Sequence, residues 1–223
     1  MTPEERLLIE RAAREIEPGM VVNLGIGLPT KIPAVLPAGF DVTFHSENGF
    51  AGLGPPLEGG TPDNDVIDAG GRAVTLEPGA ACFDSVTSFS LVRGGKVDLA
   101  ILGAFEVSVA GDLANWMIPG KLTPGMGGGM ELAQKARRVL VVSRHLDKHG
   151  RGKLVDVCSL PLTAAGCVST LVTERAVFRR EKGGRMRLVS VAPGLSVEDA
   201  REGMPEGLEA EGALEAWEGV GRR

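Results

Sequence analysis

The segment HSENGFAGLGP, residues 45–55, places a single carboxylate, Glu47, between two hydrogen-bonding side chains and ahead of a run of glycines. Ser46 and Asn48 flank the acid. A carboxylate in such a place can act as a nucleophile if solvent is removed from it and an acyl group is held against it. The competing interpretation is structural, namely that Glu47 ends a strand and accepts hydrogen bonds from the turn that follows.

Other covalent catalysts lack their usual partners in this sequence. There is no Ser-His-Asp order of the known kinds, no GxSxG elbow and no CxxC motif, and Cys82 has no base beside it. A carboxylate nucleophile is the covalent option that remains.

Three glycine-rich segments follow predicted strands, where ligands collect in parallel sheets, and they read NLGIGLPT, SENGFAGLGP and WMIPGKLTPGMGGGM. The first lacks the third glycine of a dinucleotide fingerprint, and no phosphate-loop lysine occurs, which disfavours a nucleotide-hydrolysing enzyme. Glycines allow backbone amides to approach a phosphate or an oxyanion, although a turn with positive φ explains them equally well. The candidate substrate-binding residues are Gly25, Gly27, Ser46, Asn48, Gly52, Gly54 and Gly127.

The cysteines and histidines do not form a metal-ligand pattern. Cys82, Cys158 and Cys167 are isolated among apolar or small residues, which predicts free buried thiols in a reducing compartment. His145 and His149 are close in sequence but have no third ligand nearby. We therefore predict no metal site.

Apolar runs that alternate with helical segments predict the frame that holds these loops. Because the runs are continuous rather than alternating, they favour an α/β fold with a mostly parallel open sheet flanked by helices. The predicted buried strands are 20–27, 41–47, 97–108 and 137–143.

Local signals define the remaining elements. A capping box at Thr2 and Glu5 begins the first helix, and Ser196 caps another. Residues 48–60 are predicted to be an irregular surface loop, and a hairpin is expected around residues 182–184. With no linker or repeat in the sequence, residues 1–223 are predicted to form a single domain.

Composition limits the partners. The chain has 223 residues, 43% of them hydrophobic, and a net charge of -5 without a block of Lys and Arg, so nucleic acid is not a predicted partner. The N-terminal residues 2–19 mix charges with apolar residues at helical spacing, unlike a signal peptide or a membrane anchor. We predict a cytoplasmic protein that does not bind membranes.

HSENGFAGLGP resembles the SENG signature of the B (beta) subunit of class I coenzyme A transferases of the 3-oxoacid or acetate type. The likeness continues through VNLGIGLPT, SFSLVRGGKVDLAILGAFEVSVAGDLANWMIPGK and GMGGGMELA followed by VVS, in the same order, over residues 4–200. It implies the coenzyme A transferase / ribose-phosphate isomerase-like fold. By position, Glu47 matches the family's catalytic glutamate and Gly128 matches the glycine whose amide serves the oxyanion hole. Gly129 departs from the family, which commonly has alanine there.

The resemblance also implies an activity and a partner. Coenzyme A would pass from succinyl-CoA or acetyl-CoA to a carboxylic acid such as acetoacetate, as in ketone-body metabolism, through a glutamyl-CoA thioester on Glu47. Coenzyme A is then a substrate, and no cofactor is expected. A homologous A (alpha) subunit would complete the site in an α2β2 or larger assembly. Two alternatives stay open: the same chemistry with butyrate or 3-oxoadipate, and a non-catalytic sugar-phosphate-binding module in which Glu47 is dispensable.

Overall fold

A computed structural model describes residues 1–57, 59, 61–121 and 125–217 of the chain. These residues contain twelve strands and four α-helices. The helices are α1 (Pro3–Ala13), α2 (Ser85–Arg93), α3 (Gly129–Lys135) and α4 (Val197–Arg201), with a 3-10 helix at Leu28–Val35. The strands are β1 (Met20–Leu24), β2 (Val42–Ser46), β3 (Phe50–Pro56), β4 (Val74–Cys82), β5 (Leu99–Leu102), β6 (Glu106–Ser108), β7 (Leu113–Ala114), β8 (Arg138–Val142), β9 (Leu154–Val155), β10 (Thr170–Val172), β11 (Ala176–Arg179) and β12 (Arg187–Val191).

Nine of these strands form one sheet in the order β12-β11-β10-β8-β5-β1-β2-β3-β4. The central strands β10, β8, β5, β1 and β2 are parallel to one another. Antiparallel hairpins extend the sheet at both edges. The predicted α/β class with a mostly parallel sheet is confirmed, and so is the hairpin around residues 182–184, which joins β11 to β12.

Both faces of the sheet are buried, and neighbouring residues on one strand enter different cores. On β5, Leu99 and Ile101 join the core under α1 and the 3-10 helix, whereas Ala100 and Leu102 join the core under α2, α3 and α4. Side chains alternate across a strand, so a strand covered on both faces must be apolar throughout. This explains the continuous apolar runs in the sequence.

The caps predicted from sequence form as expected. Thr2 accepts a hydrogen bond from the Glu5 backbone, and the Glu5 side chain accepts one from Thr2 in return. Ser196 and Asp199 form the same reciprocal arrangement at the start of α4. Each box satisfies two amide groups that a helix start leaves without an intrahelical partner.

The irregular loop predicted over residues 48–60 is wrong for residues 50–56. Phe50–Pro56 is strand β3, which pairs with β2 and β4. Its glycines are bulge and turn positions rather than signs of a loop: Gly52 has φ +91° at a register shift, where a Cβ would lie 3.0 Å from the Cα of Ala80. Glycine in a strand often marks such a close backbone approach.

The single strand predicted over residues 97–108 is also wrong, because the chain bends after Leu102. Leu99–Leu102 lies in the large sheet, whereas Glu106–Ser108 lies in a three-stranded sheet with β7 and β9. The side-chain amide of Asn115 donates to Gly103 O at 2.9 Å and holds the bend. An apolar run does not reveal where a strand leaves one sheet for another.

The cysteines are free, as predicted, but the predicted burial is wrong for Cys82, and Cys158 and Cys167 are only partly buried. Cys82 is exposed because β4 is the outer strand of the sheet. Burial raises the pKa of Cys158 to about 12 and that of Cys167 to about 11, so both thiols stay protonated near neutral pH. Within the described ranges, no cluster of His, Cys, Asp or Glu is placed to hold a metal ion, and no helix is long and apolar enough to cross a membrane.

Candidate active site

Glu47 follows directly on strand β2, in the tight turn that leads into β3. The Gly49 N–H donates to Ser46 O at 3.0 Å, and the Phe83 N–H donates to Gly49 O at 2.9 Å. Gly49 has φ +132°, and a Cβ there would lie 2.2 Å from Phe83 O, so only glycine fits. The turn is therefore fastened at two points, and it carries Glu47 at the carboxyl end of the parallel strands.

The carboxylate of Glu47 is partly buried and is held by a side chain from the neighbouring strand. Asn23 on β1 lies opposite His45 in the register, is fully buried, and donates from Nδ2 to Glu47 Oε2 at 3.2 Å. The turn amide of Gly49 donates to Ser46 O instead of to the acid. Glu47 thus takes a hydrogen bond from another strand, which the interpretation as a simple turn acceptor does not predict.

Behind Asn23 stand two more buried polar side chains, His45 and Ser88. The amide nitrogen of Asn23 lies 3.2 Å from His45 Nδ1, and His45 Nε2 lies 2.9 Å from the hydroxyl of Ser88 on α2. Burial lowers the pKa of His45, so the imidazole is neutral at pH 7. A neutral ring with its proton on Nε2 satisfies both contacts.

Gly128 lies against Glu47 although the two are far apart in sequence. It is the N-cap residue of α3, and a Cβ at this position would lie 3.1 Å from Glu47 Cγ and 2.8 Å from Phe89 Cζ. The structure therefore brings the two residues of the predicted catalytic pair together, with Phe89 beside them. The missing side chain of Gly128 is what allows this approach.

The helices that present Phe89 and Gly128 are joined by an ion pair. Arg93 on α2 donates two hydrogen bonds to Glu131 on α3, at 2.7 and 2.6 Å, and this contact lowers the pKa of Glu131. The same guanidinium lies over the Phe89 ring, 5.8 Å from its centroid. Asp84 caps α2 by accepting from the Thr87 N–H. These contacts fix both helix starts beside Glu47.

Ser46 and Asn48, predicted to contact substrate, make hydrogen bonds that stabilise the surrounding loops. The buried Ser46 hydroxyl donates to Asn48 Oδ1 at 2.6 Å, and the Asn48 amide donates to Ile67 O at 2.8 Å. Neither side chain contacts Glu47 through these bonds. Ser46 lines a small cavity of about 50 Å³ that also contains the Asp68–Arg72 ion pair, and Glu47 does not line that cavity.

The remaining predicted glycines divide into two groups. Gly25 donates its N–H to Ile101 O at 2.8 Å, and a Cβ on Gly54 would lie 2.5 Å from Thr75 Oγ1, so with Gly52 they serve close packing in the sheet. Gly27 (φ +95°) and Gly127 (φ +55°) have open space where a Cβ would be. Gly127 is exposed and adjoins Gly128, which places it next to the acid. Substrate contact by any of these residues stays a prediction.

Sequence reasoning missed Asn23, His45, Ser88 and Phe89. A signal was present for Asn23, which is the one polar residue of the strand MVVNL, whereas His45 lies in VTFHS together with the polar residues Thr43 and Ser46. A polar group in such a position must find a hydrogen-bond partner, which here leads to Glu47. Ser88 and Phe89 carry no comparable local signal.

Comparison with known proteins decides the family. The family model described as coenzyme A transferase matches residues 6–202. The chain belongs to the coenzyme A transferase family. Within this family it is similar to B or beta subunits: it is 49% identical to the B subunit of the probable succinyl-CoA:3-ketoacid coenzyme A transferase of Bacillus subtilis, over 91% of this chain and 93% of that one. It is 45% identical to the beta subunit of the acetate CoA-transferase of Escherichia coli, over 87% of this chain and 88% of that one.

A solved structure supports the transferase fold independently. The acyl-CoA transferase apoenzyme (YdiF) of Escherichia coli O157:H7 matches with a TM-score of 0.74 at 22% identity over 96% of this chain. This chain spans 43% of that protein. The predicted coenzyme A transferase fold is confirmed.

Proposed function

We propose that Glu47 carries coenzyme A between two carboxylic acids in a ping-pong transferase reaction. The observation that supports this most directly is the position of its carboxylate, between the buried amide of Asn23 and the glycine at the start of α3. A partly buried acid held on one oxygen, with a backbone amide free of side-chain cover beside it, has the parts that acyl transfer requires.

Each step of the proposed reaction forms one bond and breaks another. A Glu47 oxygen attacks the thioester carbonyl of the acyl-CoA, the C–S bond breaks, and a mixed anhydride and CoA thiolate result. The thiolate attacks the Glu47 carbonyl carbon, the donor acid leaves as a carboxylate, and a glutamyl-CoA thioester remains. An acceptor carboxylate then reverses these steps. Glu47 is nucleophile, carrier and leaving group in turn.

The neighbouring residues supply orientation and charge stabilisation in this proposal. Gly128 N–H, directed at the oxyanion formed from the thioester carbonyl, would contribute about 3 kcal/mol. Asn23 holds one carboxylate oxygen and limits the rotation of the nucleophile. Phe89 and the helix starts exclude water, which would otherwise hydrolyse both the anhydride and the thioester.

A partner subunit completes the proposed enzyme. Val86 in the first turn of α2 is 71% exposed and Met130 in the first turn of α3 is 40% exposed, so each of the two helices that carry Phe89 and Gly128 exposes an apolar side chain. A second protein could cover such side chains. We propose a homologous A subunit in an α2β2 or larger cytoplasmic assembly, with succinyl-CoA or acetyl-CoA as donor and acetoacetate as acceptor, by analogy with the relatives' names.

The test is to co-express this chain with a candidate A subunit, add succinyl-CoA alone, and measure the intact mass of each chain. We expect this chain to gain the mass of coenzyme A less that of one water, to lose the adduct on treatment with hydroxylamine, and to form none in Glu47→Gln. Glu198→Gln, an exposed acid on α4, is the matched control and should form the adduct normally. Near-normal transfer by Glu47→Gln in the assembled complex would refute the proposal that Glu47 is the carrier.

The choice of acceptor needs a separate measurement. Acetate, acetoacetate, butyrate and 3-oxoadipate are offered to the adduct-bearing complex, and the rate of adduct loss is compared. We expect acetoacetate to be the best of the four. A clear preference for another acid would leave Glu47 as carrier and replace only the substrate assignment.

A further inference from the structure

A directed chain of hydrogen bonds stands behind Glu47. The Ser88 hydroxyl lies 3.4 Å from Ser46 O and 2.9 Å from His45 Nε2. His45 Nδ1 lies 3.2 Å from Asn23 Nδ2, which in turn donates to Glu47 Oε2. Asn23 and Ser88 are fully buried, and His45 is 3% exposed. The chain therefore runs from the start of α2 to the acid without passing through solvent.

The orientation of the Asn23 amide follows from what surrounds it. Its Nδ2 faces three acceptors, Glu47 Oε2, His45 O and His45 Nδ1, at 3.1–3.2 Å. If the amide were turned over, its oxygen would face the two oxygens Glu47 Oε2 and His45 O, and no hydrogen would lie between it and either of them. With Nδ2 facing the ring, the amide donates and His45 Nδ1 accepts. The ring proton therefore belongs on Nε2, which donates to the Ser88 hydroxyl.

We propose that His45, anchored by Ser88, is a positioning residue that holds the Asn23 amide in the orientation that ties down Glu47 Oε2 and leaves Oε1 as the attacking oxygen. This inference rests on the proposed function of Glu47. His45 itself acts only through Asn23. A carboxylate that is held in one rotamer with one free oxygen spends more of its time in an orientation from which it can attack. This raises the rate of attack rather than the affinity for substrate.

The arrangement works only while His45 is neutral. A protonated imidazole donates from both nitrogens, so an Nδ1 proton would face the Asn23 amide hydrogens and the contact would be lost. Around the ring, β1 contributes Asn23, α2 contributes Ser88, and Phe83 stacks with a centroid distance of 6.4 Å.

The charged groups that face His45 are few. Glu47 lies beyond Asn23, just past the end of β2, and the paired Asp68 and Arg72 share the cavity that His45 lines. Burial disfavours the charged ring and lowers its pKa from 6.5. We therefore expect protonation of His45 to break its contact with Asn23 and to slow adduct formation toward acid pH.

The experiment uses the complex with its A subunit and succinyl-CoA as the probe, and it compares His45→Ala, His45→Gln and Ser88→Ala with His145→Gln. His145 is equally buried and lies away from Glu47, so its variant controls for the loss of a buried histidine. We expect His45→Ala and Ser88→Ala to slow adduct formation about 10- to 100-fold through kcat, with KM nearly unchanged. His145→Gln should form the adduct at the normal rate.

His45→Gln separates positioning from packing. Glutamine offers an oxygen to Asn23 and an amide to Ser88 but does not titrate, so near-normal activity is expected at pH ~7.5. The fall in rate toward acid pH that we expect for the unaltered complex should move to lower pH in this variant. Because this comparison needs only His45→Gln, it stands even if His45→Ala does not fold.

Two outcomes contradict the inference and differ from failure of the proposed function. If Glu47→Gln forms no adduct while His45→Ala and Ser88→Ala react as fast as His145→Gln, Glu47 is the carrier but His45 does not position it. If the rate of adduct formation fell at the same acid pH in His45→Gln as in the unaltered complex, the proposed need for a neutral His45 would likewise be wrong. An adduct on Glu47→Gln would instead refute the function itself.

Discussion

Two buried histidines of this protein have similar surroundings but different connections. His45 and His145 are 3% and 0% exposed, and each places one ring nitrogen 2.9 Å from a hydroxyl, that of Ser88 and that of Thr173. Each stacks on a phenylalanine, with centroid distances of 6.4 and 6.1 Å. Burial lowers the pKa of both, for His145 to about 4.

The second ring nitrogen distinguishes them. In His45 it meets Asn23 and through it a partly buried acid, whereas His145 Nε2 has no hydrogen-bond partner among the residues that the structure describes. Burial and a shifted pKa are thus common to a candidate site and to an ordinary part of the core. The difference lies in what the polar group connects to, and variants at both places can test it.

The largest expected difference is between Asn23→Ala and Thr173→Ala, which remove the side chain next to each histidine. Asn23→Ala frees Glu47 Oε2 and should slow adduct formation from succinyl-CoA about 100-fold in the assembled complex. Thr173→Ala removes contacts to His145 and to the backbone of Ala176, and should lower the free energy of unfolding by about 1–3 kcal/mol. The rate of adduct formation is measured by quenched reaction, and the free energy of unfolding is measured in urea. Asn23→Ala should mainly lower the rate, and Thr173→Ala should mainly lower the stability. Equal loss of activity in both would remove the distinction.

The acid dependence of stability should follow His145. Its pKa is lowered from 6.5 to about 4, so the unfolded chain binds the proton more tightly. This contribution to stability is complete above about pH 6.5 and is lost as the pH falls toward 4, by up to about 3 kcal/mol. His145→Gln should flatten the unfolding free energy over this range, in urea titrations at several pH values, relative to His149→Gln, which changes an exposed histidine. Parallel pH curves for these two variants would show that His145 is not the titrating group.

The smallest effects are expected at the adjacent glycines of the site. Gly128→Ala places a methyl group 3.1 Å from Glu47 Cγ and 2.8 Å from Phe89 Cζ, and should slow adduct formation about 10-fold by displacing the acid. At Gly129 there is open space, so Gly129→Ala should leave the rate unchanged and stabilise α3 by about 0.5–1 kcal/mol. Stopped-flow rates and thermal unfolding decide this pair. A faster reaction in Gly128→Ala would contradict the close approach seen here.

The sequence predicted those features that are determined locally. The capping boxes at Thr2 and Ser196 depend on residues within one turn, and their structures agree with the prediction. The resemblance to a known family located Glu47 and Gly128, which the structure brings into contact. Local rules failed at β3, since glycines that mark bulges in a paired strand look the same in sequence as glycines in a loop.

What the sequence did not reveal depends on distant pairing. Asn23 contacts Glu47 only because β1 and β2 are adjacent and in a register that sets Asn23 opposite His45. A shift of one strand by one residue would place these two side chains on opposite faces of the sheet. Ser88 reaches His45 from a helix that follows two further strands. No spacing within the sequence indicates these contacts, because the register itself is their cause.

The turn at Gly49 has a consequence for motion. Its two backbone hydrogen bonds and its close approach to Phe83 leave the segment no room to swing. If Glu47, two residues earlier, bears a bulky thioester in one half of the cycle and none in the other, its backbone stays in place while the bound group changes. Any slow conformational step of such a cycle then lies outside this turn.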